Sequence, residues 1–303
     1  SDFCTELLAE TGIDTEYEQS GELELLFTEQ SIPIARADER AGSNLNLDEG
    51  RSAYKLLSAD EIRDVEPLIG PEILGALECR RTAQVRNPRL VRALAAACKR
   101  LGVAIHENAV ARGFLRDGDR VLGVETNDRR FHAPYVVLAA GAWSSQLDPR
   151  LQELMPVHPV RGQMVLVKLP RRNIQRIISK GRQYLVPRRD GHVLIGSTEE
   201  PEAGFTQRIT AKGVSGLLDA ALRFVPSLAD APIVATWSGF RPATPDEKPH
   251  LGPVPGFDGL IAATGHFRAG VTLAPATAEV IAAMLLGQGY SIDLSCCQPG
   301  RNL

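Results

Sequence analysis

The chain has 303 residues, a net charge of −3, 44% hydrophobic residues and 23% charged residues. This balance is typical of a folded soluble protein and gives no electrostatic argument for a nucleic-acid partner. No apolar run reaches the roughly 18 residues that a membrane span needs, and the first residues carry no signal-peptide pattern. The five cysteines lack metal-ligand spacing, so we expect reduced thiols, no metal site and a cytoplasmic enzyme.

Short helices and strands alternate in the first third of the chain. The pattern of Ser58 and Glu61 is a capping box, in which each side chain bonds the other residue's backbone, and Pro67 ends the helix that it starts. Apolar periodicity and glycine or proline boundaries give the other elements. We predict helices at 2–11, 58–66 and 89–100, and strands at 21–28, 75–79 and 103–106.

The rest of the chain predicts a second sheet and a return to helix-and-strand units. We predict a hairpin of 109–115 and 120–125, a fully buried strand at 135–141, strands at 160–169, 184–187, 193–196, 233–240 and 259–264, and helices at 211–224 and from 275 to 286. This interleaving indicates an α/β fold, α+β overall, with two discontinuous domains. A Rossmann-like domain would comprise 79–155 and 250–287, and a mixed or antiparallel sheet domain would comprise 13–78 and 156–249. We expect the active site between them, where pockets are common.

The segment 265–277 (GHFRAGVTLAPAT) lies between the strand 259–264 and the last helix. A glycine-bounded loop in this position presents backbone N–H groups and the positive helix end to an anion or an electron-rich ring. Pro275 suits the first turn of the helix, where its missing N–H costs nothing. This arrangement indicates a cofactor site, with an ordinary strand–loop–helix as the alternative.

The amino-acid sequence of this segment resembles the C-terminal flavin loop of the glycine oxidase / D-amino-acid oxidase family of FAD-dependent amine oxidases. Within that family it is most similar to the thiamine-pathway glycine oxidases. Three further segments resemble the family in the same order, namely 139–144 (AAGAWS), 159–163 (PVRGQ) and 237–252 (WSGFRPATPDEKPHLG). Several short motifs in one order identify the family far more specifically than any one of them.

The resemblance implies an oxidoreductase that oxidises the C–N bond of a small amino acid to an imine and then a keto acid. Molecular oxygen would accept the electrons and give hydrogen peroxide. Arg241 and Tyr184 match the residues that bind the substrate carboxylate, for which the planar guanidinium is well suited. Tyr184 as an ordinary half-buried strand residue, and His266 as a general base or as a positional residue, stay open. The resemblance assigns non-covalent FAD to Val110, Ala139, Ala140, Gly141, Trp143, Gly265, His266, Phe267, Arg268, Ala269, Gly270 and Val271.

One family feature has no counterpart in this sequence. The family opens with a βαβ unit bearing G-x-G-x-x-G, which binds the dinucleotide, and none of the 27 glycines here forms that pattern. We therefore expect the FAD-binding domain to be truncated and FAD binding by this chain alone to be weak or absent.

Two functions of different classes stay open. The first is a flavin amine oxidase acting on glycine, sarcosine, proline or a D-amino acid, and the second is a non-catalytic fragment or subunit that binds a small carboxylate. The sequence does not decide between a monomer and a homo-oligomer.

Overall fold

The computed structural model describes residues 2–44 and 53–302. Its helices are α1 (Asp2–Thr11), α2 (Ser31–Asn44), α3 (Ala59–Val65), α4 (Asn87–Arg100), α5 (Pro149–Leu154), α6 (Ala211–Phe224) and α7 (Gly270–Leu286). Its strands are β1 (Glu22–Leu26), β2 (Tyr54–Ser58), β3 (Gly75–Cys79), β4 (Ala111–Asp117), β5 (Arg120–Thr126), β6 (Arg130–His132), β7 (Val136–Leu138), β8 (His158–Lys168), β9 (Ile177–Lys180), β10 (Gln183–Pro187), β11 (His192–Gly196), β12 (Ile233–Ala243), β13 (His250–Pro253) and β14 (Leu260–Thr264).

The chain forms two compact units, and each is discontinuous in sequence. Unit 1 comprises Ser1–Ile105, Gly162–Glu199 and Gln207–Ser238, and unit 2 comprises His106–Arg161, Glu200–Thr206 and Gly239–Leu303. Residues 79–105 group with unit 1, whereas we placed them in the Rossmann-like domain. The predicted sheet domain 13–78 includes 45–52, which lie outside the described residues. The assignment of nucleotide-binding and substrate domains stays a prediction.

An eight-stranded sheet is the framework of unit 1. Its order is β12-β8-β11-β10-β9-β1-β3-β2, with β1 antiparallel to β3 and parallel to β9. Leu23 and Leu25 of β1 alternate into a buried cluster that also contains Leu217 and Phe224 of α6. This alternation is the period-2 pattern of a strand that buries one face. Strands β8 and β12 each have one end in unit 2, and Arg241 lies in the part of β12 that belongs to unit 2.

Two three-stranded sheets build unit 2, in the orders β13-β14-β7 and β4-β5-β6. Phe257, Leu260 and Met155 lie at the centre of its core. β7 and β14 run parallel, with Val136 opposite Leu260. Because the carboxyl ends of parallel strands meet at the same edge of a sheet, the segments that follow β7 and β14 emerge side by side.

Some predicted elements are wrong in ways that have a physical cause. The run 103–106 is not a strand, since Val103 and Ile105 are exposed and pair with no strand in the described ranges. The strand near 135–141 is confirmed only as the short β7, and Val137 is 40% exposed. A run of valine, leucine and alanine does not distinguish this edge position from a central one. α7 begins at Gly270, so Pro275 lies inside the helix rather than in its first turn.

The capping box of α3 is confirmed. The N–H of Glu61 donates to Ser58 Oγ at 3.3 Å, and the N–H of Ser58 donates to the Glu61 carboxylate at 2.9 Å. Ser58→Ala is expected to lower the free energy of unfolding by about 1 kcal/mol, because it removes the cap. Urea unfolding would measure this, with the exposed Ser215 of α6, replaced by alanine, as control. Equal effects of the two substitutions would contradict the capping role.

Candidate active site

Hydroxyl groups join the turn after β7 to the loop after β14. Thr264 Oγ1 donates to the carbonyl of Gly141 at 3.1 Å, and Ser144 Oγ lies 2.8 Å from both of these oxygens. Ser144 and Thr264 are buried, so these bonds are shielded from competition by water. Because Thr264 directly precedes the loop 265–271, this loop begins beside the turn at Gly141.

The backbone of both segments adopts left-handed conformations. Gly141 has φ 56°, and a Cβ on it would meet no protein atom within 4 Å. Gly265 has φ 79°, and a Cβ there would lie 2.7 Å from Thr244 Cγ2. Phe267 has φ 47°, which is uncommon for a residue with a side chain, and its N–H donates to the carbonyl of Pro242 at 2.9 Å. The loop is thus fixed against the residue that follows Arg241.

The N-terminus of α7 is open to a ligand. Ala269 is its N-cap residue and provides no side-chain hydrogen bond, and the first turn contains no acidic residue. The first N–H groups of the helix and its positive end therefore lack an internal counterpart. Val271 and Leu273 in the same turns are 49% and 38% exposed. Amide donors beside apolar side chains fit the polar and aromatic parts of a flavin, so this donor set fits FAD.

His266 and Arg268 have different surroundings within the loop. His266 Nε2 lies 3.0 Å from Thr277 Oγ1 and so ties the loop to α7. Burial lowers the pKa of His266, which favours the neutral imidazole at physiological pH. The Arg268 side chain is exposed, with its guanidinium 5.9 Å from the centre of the Phe267 ring. The tether to Thr277 favours the positional role that the sequence left open for His266.

An aromatic cluster links these segments to the strand that carries Arg241. The Trp143 ring centre lies 5.3 Å from that of Phe205 and 5.9 Å from that of Phe240, and Phe205 and Phe240 are 5.6 Å apart. The two pairs that include Phe240 are edge-to-face, which is a favourable geometry at these separations. Phe240 directly precedes Arg241, which is half-buried near the end of β12. Unit 2 therefore contains a contact network that joins Trp143 and the loop 265–271 to the residues on either side of Arg241.

Two predicted site residues lie outside this network. Tyr184 is in β10 of unit 1, opposite Gly196, and its hydroxyl lies 3.8 Å from Met164 Sδ. A thioether is a weak acceptor, so this contact competes little with a stronger hydrogen-bond partner. Val110 precedes β4 and is 53% exposed, and its backbone is hydrogen-bonded to Asn127 at 3.0 and 3.1 Å.

An ion pair of the buried Arg161 with Glu200 holds the segment that carries Phe205, and the sequence analysis did not predict this role of the Arg161 side chain. Arg161 is 3% exposed, and its Nη2 lies 2.5 Å from Glu200 Oε2. Its Nη1 donates to the carbonyl of Thr206 at 2.7 Å. The backbones of Arg161 and Glu200 also exchange hydrogen bonds. The motif PVRGQ indicated the strand, but the partner lies 39 residues away.

His250 in β13 is completely buried beside Arg301, and its Nδ1 lies 2.8 Å from Arg301 Nη1. Burial, reinforced by the positive charge of Arg301, lowers the pKa of His250 from 6.5 to about 4. The unfolded state therefore binds this proton more readily, and the contribution of His250 to stability is lost as the pH falls from 6.5 to 4.

We expect His250→Gln to flatten the decline in the free energy of unfolding over that pH window, by about 3 kcal/mol at its lower end. Urea unfolding at several pH values would measure the difference between wild type and variant. The exposed His132 of β6, replaced by glutamine, serves as control. A variant with the wild-type pH dependence would contradict the assignment.

Residues 2–44 and 53–302 hold no group of three or more His, Cys, Asp or Glu side chains placed to bind a metal ion. None of the helices in the same ranges combines the length and the apolar character needed to cross a bilayer.

Comparisons with known proteins by family model, by sequence and by structure all find FAD dependent oxidoreductases or glycine oxidases. The family model described as FAD dependent oxidoreductase (DAO) matches residues 2–284. Glycine oxidase of Pseudomonas aeruginosa is 40% identical over 301 residues, covering 98% of this chain and 79% of that protein. The bifunctional protein ThiO/ThiG of Trichormus variabilis is 37% identical, over 92% of this chain and 41% of that protein. The crystal structure of glycine oxidase from Geobacillus kaustophilus superposes with a TM-score of 0.92 at 30% identity, over 100% of this chain and 80% of that one.

Proposed function

Because this chain belongs to the DAO family of FAD dependent oxidoreductases, we propose that it oxidises the C–N bond of a small amino acid and passes the electrons to oxygen. The family places it among the FAD-dependent enzymes that resemble amino-acid oxidases. The finer proposal names glycine as the first substrate, with an imine, then a keto acid and ammonia, and hydrogen peroxide as products. Glycine oxidase relatives at 40% and 38% identity support this choice.

FAD, when bound, supplies the two-electron redox chemistry of the reaction. In this chain we propose that the turn 139–143 and the loop 265–271 hold it. The single observation that carries this proposal is the bond from Thr264 to the Gly141 carbonyl at 3.1 Å. It sets two small-residue turns beside the open end of α7, where backbone N–H groups can bind an electron-rich ring. Non-covalent attachment is part of the proposal.

Arg241 is proposed to hold the substrate carboxylate. It is half-buried and lies one residue before Pro242, whose carbonyl is bonded to the cofactor loop through Phe267. A guanidinium so placed can bind a carboxylate through two parallel hydrogen bonds and fix the direction of the Cα–H bond. Tyr184 is proposed as a second carboxylate ligand, because the thioether that its hydroxyl contacts is a weak hydrogen-bond acceptor. The relative named ThiO/ThiG supports a place for the reaction in thiamine biosynthesis.

The test combines spectroscopy with product analysis on the FAD-loaded protein. Glycine, sarcosine, D-alanine and proline are added without oxygen, and loss of the oxidised-flavin absorption is followed. We expect bleaching by at least glycine, and on admission of air we expect oxygen uptake with equimolar hydrogen peroxide. A flavoprotein that none of these amino acids reduces would refute the oxidase proposal. Reduction without oxygen uptake would refute oxygen as the acceptor, and a protein that binds acetate without FAD would favour the non-catalytic alternative.

A further inference from the structure

Arg301 is hydrogen-bonded to several residues of the segment that follows β12. Its side chain is 9% exposed. Nε and Nη2 donate to the two carboxylate oxygens of Asp246 at 3.0 and 2.8 Å, which is the bidentate geometry that a guanidinium favours. The remaining acceptors are the carbonyls of Lys248, Pro249 and Gln298, and Nδ1 of His250. All but Gln298 lie in 244–250, which we call the clamp loop.

The clamp loop has a conformation that needs support. Glu247 within it has φ 57°, a left-handed conformation that costs free energy for a residue with a side chain. Thr244 Oγ1 donates to the Lys248 carbonyl at 2.8 Å, and the Lys248 N–H donates to Asp246 at 3.2 Å. The same Lys248 carbonyl accepts from Arg301 at 2.8 Å. Arg301 therefore completes a set of bonds that determines the path of the loop.

The bond to His250 extends this support to the start of β13. A guanidinium can only donate, so Nδ1 of His250 must accept, and the neutral imidazole carries its proton on Nε2. His250 has no exposed surface. The two ends of the clamp loop are therefore anchored, one in β12 and the other in a buried histidine with a defined tautomer.

The other side of the clamp loop contacts the proposed cofactor loop. The Phe267 N–H donates to the Pro242 carbonyl at 2.9 Å. Thr244 is 3% exposed, and its Cγ2 occupies the space that a Cβ on Gly265 would need. Pro242, next to Arg241, thus contacts the loop 265–271 and is followed two residues later by the clamp loop, which Arg301 holds in place.

We propose that Arg301 is a positioning residue that sets the Arg241 guanidinium relative to the loop 265–271. This inference rests on the proposed carboxylate-binding role of Arg241. Arg301 itself binds Asp246 and backbone carbonyls of the clamp loop, so its effect on the reaction passes through Arg241. Loss of the bidentate bond from the Arg301 guanidinium to Asp246 lets the clamp loop relax, and the carboxylate site then widens.

The experiment uses FAD-loaded Arg301→Gln and Asp246→Asn, with Arg150→Gln as matched control. Arg150 is a partly exposed arginine of the same unit that packs on Phe257, away from the clamp loop. We expect both clamp variants to raise the KM for glycine and the Kd for acetate, read from the flavin spectrum, by about tenfold, the scale of contact-network effects. Because each variant acts on binding geometry, kcat should change less than KM. Arg301→Ala should regain part of its acetate affinity when methylguanidinium is added, and Arg301→Lys should not regain wild-type affinity, because it lacks the fork.

Thermal unfolding separates loss of fold from loss of position. Asp246→Asn keeps the shape of the side chain, so its acetate affinity tests the proposal if Arg301→Gln does not fold. Wild-type acetate affinity in a folded Asp246→Asn or Arg301→Gln protein would overturn the proposal, and so would equal effects of Arg150→Gln. If wild type binds acetate but is not reduced by amino acids, the oxidase proposal fails, while the acetate titrations still test the role of Arg301.

Discussion

Arg241→Ala in the FAD-loaded enzyme is expected to raise the KM for glycine by about 100-fold or more. A hydrogen bond to a charged group contributes about 1.5–3 kcal/mol, a bidentate pair contributes more than one such bond, and each 1.4 kcal/mol is tenfold in affinity. Arg241→Lys should be intermediate, since it keeps the charge without the planar fork. Steady-state kinetics with glycine and a titration with acetate would give both effects.

The control for this expectation is Arg130→Ala. Arg130 lies in β6 of the same unit, and its side chain is 66% exposed in a surface pair with Glu125. Such pairs contribute little, so wild-type KM and FAD content are expected. If Arg241→Ala retained the wild-type KM and kept its FAD, the carboxylate would be bound elsewhere, and Tyr184 and Arg268 would be the next residues to replace.

The parts of the fold that the sequence predicts are those with a local signal. The capping box at Ser58, the helix α6 and the strand β14 each depend on residues only a few positions apart, and the structure confirms all three. The helix α2 was missed because its sequence is polar. Within residues 31–41, whose burial the structure describes, only Ala35 is buried, against Leu26 and Leu77. Short strands such as β9 and β13 were missed since their pairing partners, not their own residues, define them.

The candidate site also has parts with a local sequence signal and parts without one. The loop 265–271 was predicted because a strand, a glycine-bounded loop and a helix follow one another in one short segment. The bonds that assemble the site join residues far apart, such as Thr264 to Gly141 across 123 positions and Arg301 to Asp246 across 55. No local periodicity encodes such pairs, so the sequence could indicate which segments meet but not which side chains hold them.

The pair of Arg161 and Glu200 gives the second large expected effect. Glu200→Met should lower the free energy of unfolding by about 3–5 kcal/mol, because it leaves the charge of Arg161 buried without its counter-ion. Arg161 is 3% exposed and Glu200 is 28% exposed. The loss of stability therefore comes mainly from the buried charge of Arg161, which water does not reach. Urea unfolding of the FAD-loaded protein measures it. Glu202→Met, at an exposed position of the same segment, is the matched control and should change stability by less than about 0.5 kcal/mol.

The double variant Arg161→Met/Glu200→Met makes the cause testable. Replacing both members of a buried ion pair by apolar residues removes the stranded charge, and such replacements are often neutral or stabilising. The double variant should therefore be more stable than Glu200→Met alone, although it has one more substitution in the core. If it is instead less stable, the bond from Arg161 to the Thr206 carbonyl at 2.7 Å contributes more than the charge pair. The segment that carries Phe205 would then depend on Arg161 as a hydrogen-bond donor rather than as a counter-ion.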